Sequence, residues 1–382
     1  MDDQFFGPPS FSQDGGEVGE NFQLTITSAD GNVYFTIDGS APRAPGGAPS
    51  ASAVQGSNVT LTETTTVIAR AYDGQQGGAP TRATFVIGGA IADETNIVIS
   101  EIMYDPATPT EDEEQAGFPS DSFFEYLEIY NFSDTTVDLS EVTFTDGIEF
   151  SFANSRITVL APGARTLIVR NAAGFAQRYG DGFNDLIAGE FKNGSGLSGS
   201  GERIILEGAN GIISDVTYDN KFPWPKSSNG EGPSLVYING QDDPGLAQNW
   251  RPSVETLGNP GTGDATTFEG NPTEDLDGDG FNAFAEYALG TDDTVWDSDI
   301  LIGSIDDNGR YALTFPRNVA ADDAEIVLQV SSDLNAWGSA LDVLEDGKET
   351  HNGDGTVTYT FRTPEAATAG IRLFGRLFIL QR

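Results

Sequence analysis

The stretch Phe123-Phe124-Glu125-Tyr126-Leu127-Glu128-Ile129-Tyr130-Asn131 alternates side-chain character residue by residue once past Glu125. In a β-strand successive side chains point to opposite faces, so Leu127 and Ile129 fall on one side and Tyr126, Glu128 and Tyr130 on the other. The same short period recurs at residues 22–27, 33–37, 59–61, 66–72 and 81–87, and again at 311–317, 326–331, 357–362 and 373–379. Turn residues separate these runs, drawn from 46 glycines and 19 prolines. Many short alternating runs between turn signals read as all-β sandwiches, and 382 residues suffice for several such units.

The runs divide the chain into a multi-domain string of β-sandwiches. Residues 8–88 form a first small sandwich and 95–240 the largest unit. Residues 241–268, with Asn249-Trp250-Arg251-Pro252 and a Gly258-Asn259-Pro260-Gly261 turn, lack periodicity and read as a linker that hugs the preceding unit and then becomes flexible. Residues 269–297 carry a short helical segment ended by Gly290, and 300–382 make a last β-sandwich.

At the joint stands Asp275-Leu276-Asp277-Gly278-Asp279-Gly280-Phe281, with Glu286 as the twelfth residue of the loop. Calcium is a hard ion that takes six to eight oxygens, and this spacing supplies them. Asp275, Asp277 and Asp279 offer carboxylates, Gly280 permits the sharp turn, the Phe281 carbonyl adds a ligand, and Glu286 closes the site from a helix. An Asp-rich chain also produces acidic surface turns, the bland alternative. Asp292, Asp293 and Asp297 add charge nearby without completing a second motif.

The formal net charge of −40 repels polyanions, and direct nucleic-acid binding, which depends on basic groups, is not expected. There is no cysteine and a single histidine, His351, expected at an exposed hairpin tip. That count leaves no Ser-His or Cys-His arrangement and no His-based zinc site. Glu101, Glu125 and Glu128 read as a solvated acidic strand face; a second cation site and a glycosidase carboxylate pair are the sharper alternatives. Phe222-Pro223-Trp224 reads as the plug of a sandwich end or, alternatively, as an exposed platform. No apolar run is long enough to span a membrane. Met1-Asp2-Asp3 lacks the features of a signal peptide, so the expectation is a mature segment or fragment of a longer exported chain.

Several motifs also resemble known families. Val33-Tyr34-Phe35-Thr36-Ile37-Asp38-Gly39-Ser40-Ala41-Pro42, followed by Thr64-Thr65-Thr66-Val67-Ile68-Ala69, resembles the immunoglobulin-like module at the C-terminus of chitobiases and hexosaminidases. The region from Ile97-Val98-Ile99-Ser100-Glu101-Ile102 through Glu125–Asn131, the Pro162-Gly163 turn, Leu197-Ser198-Gly199-Ser200-Gly201-Glu202 and Pro223-Trp224-Pro225 resembles the bacterial lamin tail domain. That resemblance implies an immunoglobulin-like sandwich. The acidic loop resembles those of EF-hands and thrombospondin type 3 repeats, and Ser331-Ser332-Asp333-Leu334 resembles a β module that ends many exported bacterial proteins. Together these imply a calcium-binding, non-catalytic, monomeric extracellular or cell-surface chain for adhesion, attachment or domain display. An extracellular polysaccharide or a surface protein is the expected partner. The alternative is a carbohydrate-binding accessory region of a larger extracellular enzyme, although residues 8–88 hold no tryptophan for stacking on a sugar.

Overall fold

In a computed structural model, residues 7–19, 21–87, 89–238, 243–367 and 372–382 are described. Met1-Asp2-Asp3, Gly88 and the boundary at 240–241 lie outside the described residues. The chain is predominantly β, in paired sheets. The first pair joins a three-stranded sheet to a five-stranded one, in which the strand Thr65–Tyr72 lies between Asn32–Thr36 and Thr81–Ile87. Its burial alternates along all eight residues, with Val67, Ala69 and Ala71 inward and Ile68, Arg70 and Tyr72 outward. Leu24, Ile26, Phe35 and Phe85 fill this core.

The next unit is built on a six-stranded sheet ordered Ile187–Glu190, Arg165–Val169, Tyr126–Asn131, Ile97–Met103, Leu235–Tyr237 and Trp250–Pro252. Leu127 and Ile129 face the main core with Ile99, Phe144, Ile204, Val216 and Trp224. Tyr126 points the opposite way, into a second cluster with Met103, Leu167, Val169 and Phe175. Phe175 belongs to the helix Ala172–Tyr179, whose start is capped by Asn171 accepting from the Gly174 N–H at 2.7 Å. The sheet is therefore covered on both faces. Ala90–Ile91 enters this unit as a parallel strand beside Val137–Asp138.

The last pair of sheets has Tyr311–Asn318 between Ile302–Ile305 and Thr356–Arg362, opposite Ala324–Ser331 paired with Phe374–Gln381. The helix Ala283–Leu289 is integral to this unit: Leu289 joins its core, and Phe284 and Ala288 pack with Ala321 and Ala324. Linker residues are structured as well, since Trp250–Pro252 pairs with Leu235–Tyr237.

Residues 226–264 and the last unit meet through polar contacts. Glu349 accepts from the N–H groups of Lys226 and Ser227 at 3.0 and 3.2 Å and from the Ser227 hydroxyl at 2.6 Å. Arg251, 1% exposed, bonds Asp264 at 2.6 Å and Asp322 at 2.5 Å. His351 is half-buried rather than an exposed tip: its Nε2 lies 2.9 Å from the Ser253 carbonyl, while Nδ1 accepts from the Gly353 N–H. The ring bridges two parts of the chain.

Candidate metal centre

The acidic loop is shaped by its own side chains. Asp275 accepts from the N–H groups of Gly278 at 2.7 Å and Gly280 at 3.2 Å. Asp277 accepts from Asp279 at 3.0 Å, and Asp279 from Phe281 at 2.8 Å. Each aspartate thus folds the backbone back on itself, the local bonding that favours Asp in turns. Gly280 sits at φ 104°, a conformation that strains any residue with a Cβ. The loop base closes where the Ala283 N–H donates to the Glu274 carbonyl at 2.7 Å. Asn282 then caps the helix, and left-handed Gly290 ends it.

Carboxylate oxygens of Asp275, Asp277 and Asp279 lie within 4.8 Å of one another, as do those of Asp279, Glu286 and Asp297. The structure brings four of the five predicted site residues into this neighbourhood, with Asp279 common to both groups. The Phe281 ring packs against the C-terminal core. Two acids beyond the predicted set take part. The Asp297 N–H donates to Asp279 at 2.9 Å, and Asp293 accepts from the Leu276 N–H at 3.2 Å. The signal for them in the sequence is only a run of acids after Gly290, with no fixed spacing to recommend it.

Two oxygens of this cluster are buried without a hydrogen-bond partner: Asp277 Oδ2 and Glu286 Oε2. Glu286 is 1% exposed, and its other oxygen receives the Thr291 hydroxyl at 3.3 Å. Burial first, then Asp293, Asp277 and Asp279, push its carboxyl up to about 7. Burial and the neighbouring aspartates also raise Asp277. A buried carboxylate among like charges without a cation is costly. These orphaned oxygens and the all-oxygen donor set fit a hard cation.

The three glutamates of the large unit differ from the reading as a solvated face. All are buried: Glu101 and Glu128 because residues 258–261, beside the helix Ala172–Tyr179, cover the outer face of the sheet, and Glu125, at the start of its strand, by Arg170 and the segment at Leu197. They do not form one cluster. Glu125 is paired with Arg170 at 3.0 Å and accepts from the Leu197 N–H. Glu128 is held by Arg165 at 2.5 Å, Ser100 at 2.7 Å and the Gly261 N–H at 2.6 Å. Glu101 accepts from the Tyr126 hydroxyl at 2.5 Å, the Asn259 N–H at 2.9 Å and the Ser234 hydroxyl. Glu101 and Glu128 are register partners on adjacent strands, and the space beside them measures about 40 Å³. Trp224 plugs the core beside Trp250, and Phe222 packs edge-on against Phe361.

The six-stranded sheet facing a four-stranded one, with its core on Leu127 and Ile129, defines an immunoglobulin-like sandwich. Residues 91–220, 130 of the chain's 382, match the family model of the lamin tail domain. No curated protein matches the chain. Among the described residues, no helix is long and apolar enough to cross a membrane.

Proposed function

We propose that this chain is a non-catalytic extracellular or cell-surface protein, braced by calcium, that serves adhesion, attachment or domain display. The observation that carries the calcium reading is the unpartnered oxygen of Glu286, a residue only 1% exposed, in a cluster with Asp279 and Asp297 and under the charge of Asp277 and Asp293. Asp275, Asp277, Asp279, Glu286 and the Phe281 carbonyl would hold the ion, with Asp297 and Asp293 close by. Calcium supplies charge compensation and ties the loop to the helix it precedes. The non-catalytic reading is supported by Glu101 and Glu128, whose 40 Å³ of free space is far below the 300 Å³ or more typical of ligand pockets.

Because the helix packs into the last sandwich, calcium stabilises that unit and leaves residues 8–88 unaffected. Calcium at a hundred times its Kd contributes about 2.7 kcal/mol. Thermal melting and limited proteolysis in calcium and in chelator test this. Chelation is expected to lower the transition that contains the last sandwich and to expose cleavage between residues 262 and 294, with Asp277→Ala reproducing both in calcium. Identical melts and digests in the two conditions would defeat the reading.

A further inference from the structure

Residues 8–88 carry seven carboxylates and three arginines, a net −4 of the chain's −40, and the three arginines are not dispersed. Arg43, Arg70 and Arg82 line one cleft of about 480 Å³ with Ile68, Pro42 and Pro80, and no acidic residue lines it. Strand pairing explains the convergence. Arg70 follows Ile68 by two residues and shares its outward face, and Arg82 stands directly across from Ile68 on the neighbouring strand. Arg43 is brought in by a bridge between its backbone and that of Pro49. Arg70 is fixed in place, with Nε donating to the Gly78 carbonyl at 2.5 Å and Nη2 to the Gly77 carbonyl at 2.9 Å.

These cations are uncompensated. Seven other arginines of the chain pair with carboxylates, whereas among the described residues Arg43, Arg70 and Arg82 have no acidic partner. Burial, and then the Arg43 charge, disfavour the Arg70 cation, with no acid opposing them. A protein with a large acid excess that leaves three arginines together has a local site for an anion. The planar guanidinium fork suits carboxylate and sulfate oxygens. Beside the cleft on the same sheet face stand Tyr34, the register partner of Arg70, and Tyr72, with ring centroids 6.0 Å apart. Half-buried tyrosines offer a ring its apolar face and a hydroxyl.

We infer that the cleft of Arg43, Arg70 and Arg82 binds the acidic groups of a polysaccharide, carboxylate or sulfate, with Tyr34 and Tyr72 flanking the sugar. This names the ligand class for the attachment reading and is independent of calcium. The chain's net charge opposes a polyanion at long range, but at 0.1 M salt the Debye length is about 10 Å, so distant acids are screened and the cleft acts locally.

The test is isothermal titration of the full chain in 0.1 M salt with chelator present, so that calcium cannot bridge acid to acid. Polygalacturonate supplies carboxylates, dextran sulfate supplies sulfates, and dextran is the neutral control. Binding to one or both acidic polymers and not to dextran is expected, the stronger arm identifying the group. The double variant Arg43→Gln/Arg82→Gln changes two exposed side chains and is expected to keep its melting temperature while binding at least tenfold more weakly. No binding to either polymer, or equal binding by the variant or to dextran, overturns the inference. A calcium-insensitive melt alongside normal polymer binding defeats only the calcium reading.

Discussion

Replacing Arg251 by Met removes the cation that joins three parts of the chain. Arg251 lies on the edge strand Trp250–Pro252, Asp264 in the following segment, and Asp322 in the turn before Ala324–Ser331 of the last sandwich. The guanidinium makes two bonds to Asp322 (2.5 and 3.2 Å), one to Asp264 (2.6 Å) and one to the Pro252 carbonyl (3.1 Å). Side-chain exposures are 1% for Arg251, 10% for Asp264 and 13% for Asp322, so water screens little of this. Burial opposes the Arg251 charge, but Asp322 and Asp264 outweigh it and hold the guanidinium protonated. Met preserves the stem's volume and leaves two carboxylates facing each other without a cation. Breaking a buried pair in this way costs about 3–5 kcal/mol. For a unit of 60–100 residues, the size class of the last sandwich, that is a fall in melting temperature of roughly 12–40 °C. Calorimetry of the Arg251→Met chain is expected to show this loss in the last sandwich, which separates from the lamin tail domain-like unit. Adding Asp322→Asn to the variant is expected to recover at least about 1 kcal/mol, the sign of a direct coupling. A loss below about 1 kcal/mol, the value of an exposed pair, would refute the reasoning.

Glu101 gives a pH signature of opposite sign to ordinary carboxylates. Burial, and then the Glu128 charge, push its carboxyl up to about 8, so folded chains favour the protonated form and stability falls as pH rises from about 4.5 through about 8. Glu101→Gln is expected to flatten this decline; urea unfolding at pH 6 and pH 9 with equal mutant and wild-type differences would contradict it. Glu113 behaves the other way: hydrogen bonds from Arg178 foremost, against burial, hold it at about 2. The stability it contributes is present above about pH 4.5 and lost as pH falls through about 2. Arg178→Gln is expected to cost on the order of 2 kcal/mol at pH 7 and to weaken the acid limb of the melting curve, whereas an unchanged limb would remove Glu113 from the acid response.

Much of the architecture was legible in the chain because strand alternation is a local property. Leu127 and Ile129 share one face by their period, and that face is the core; the run at 66–72 is likewise a strand, Thr65–Tyr72. The acidic loop was equally legible, since Asp275, Asp277 and Asp279 build their turn from bonds spanning five residues or fewer. What tertiary structure decided was everything set by a second covering layer. Glu101 and Glu128 look like a wet strand face until Asn259 and Gly261, more than 130 residues away, are laid over them. Asp297 and Asp293 enter the acidic cluster only because the chain folds back after Gly290, and His351, at its hairpin, is half-buried against the Ser253 carbonyl instead of exposed. Arg43, Arg70 and Arg82 are 39 residues apart at their extremes and unremarkable in sequence, yet sheet register and one bridge place them at a single cleft. A repeat of two residues is written along the chain, whereas the partner across a sheet or above it is chosen by packing, and it is that partner which turns a charged side chain into a buried acid, a clamp or a binding site.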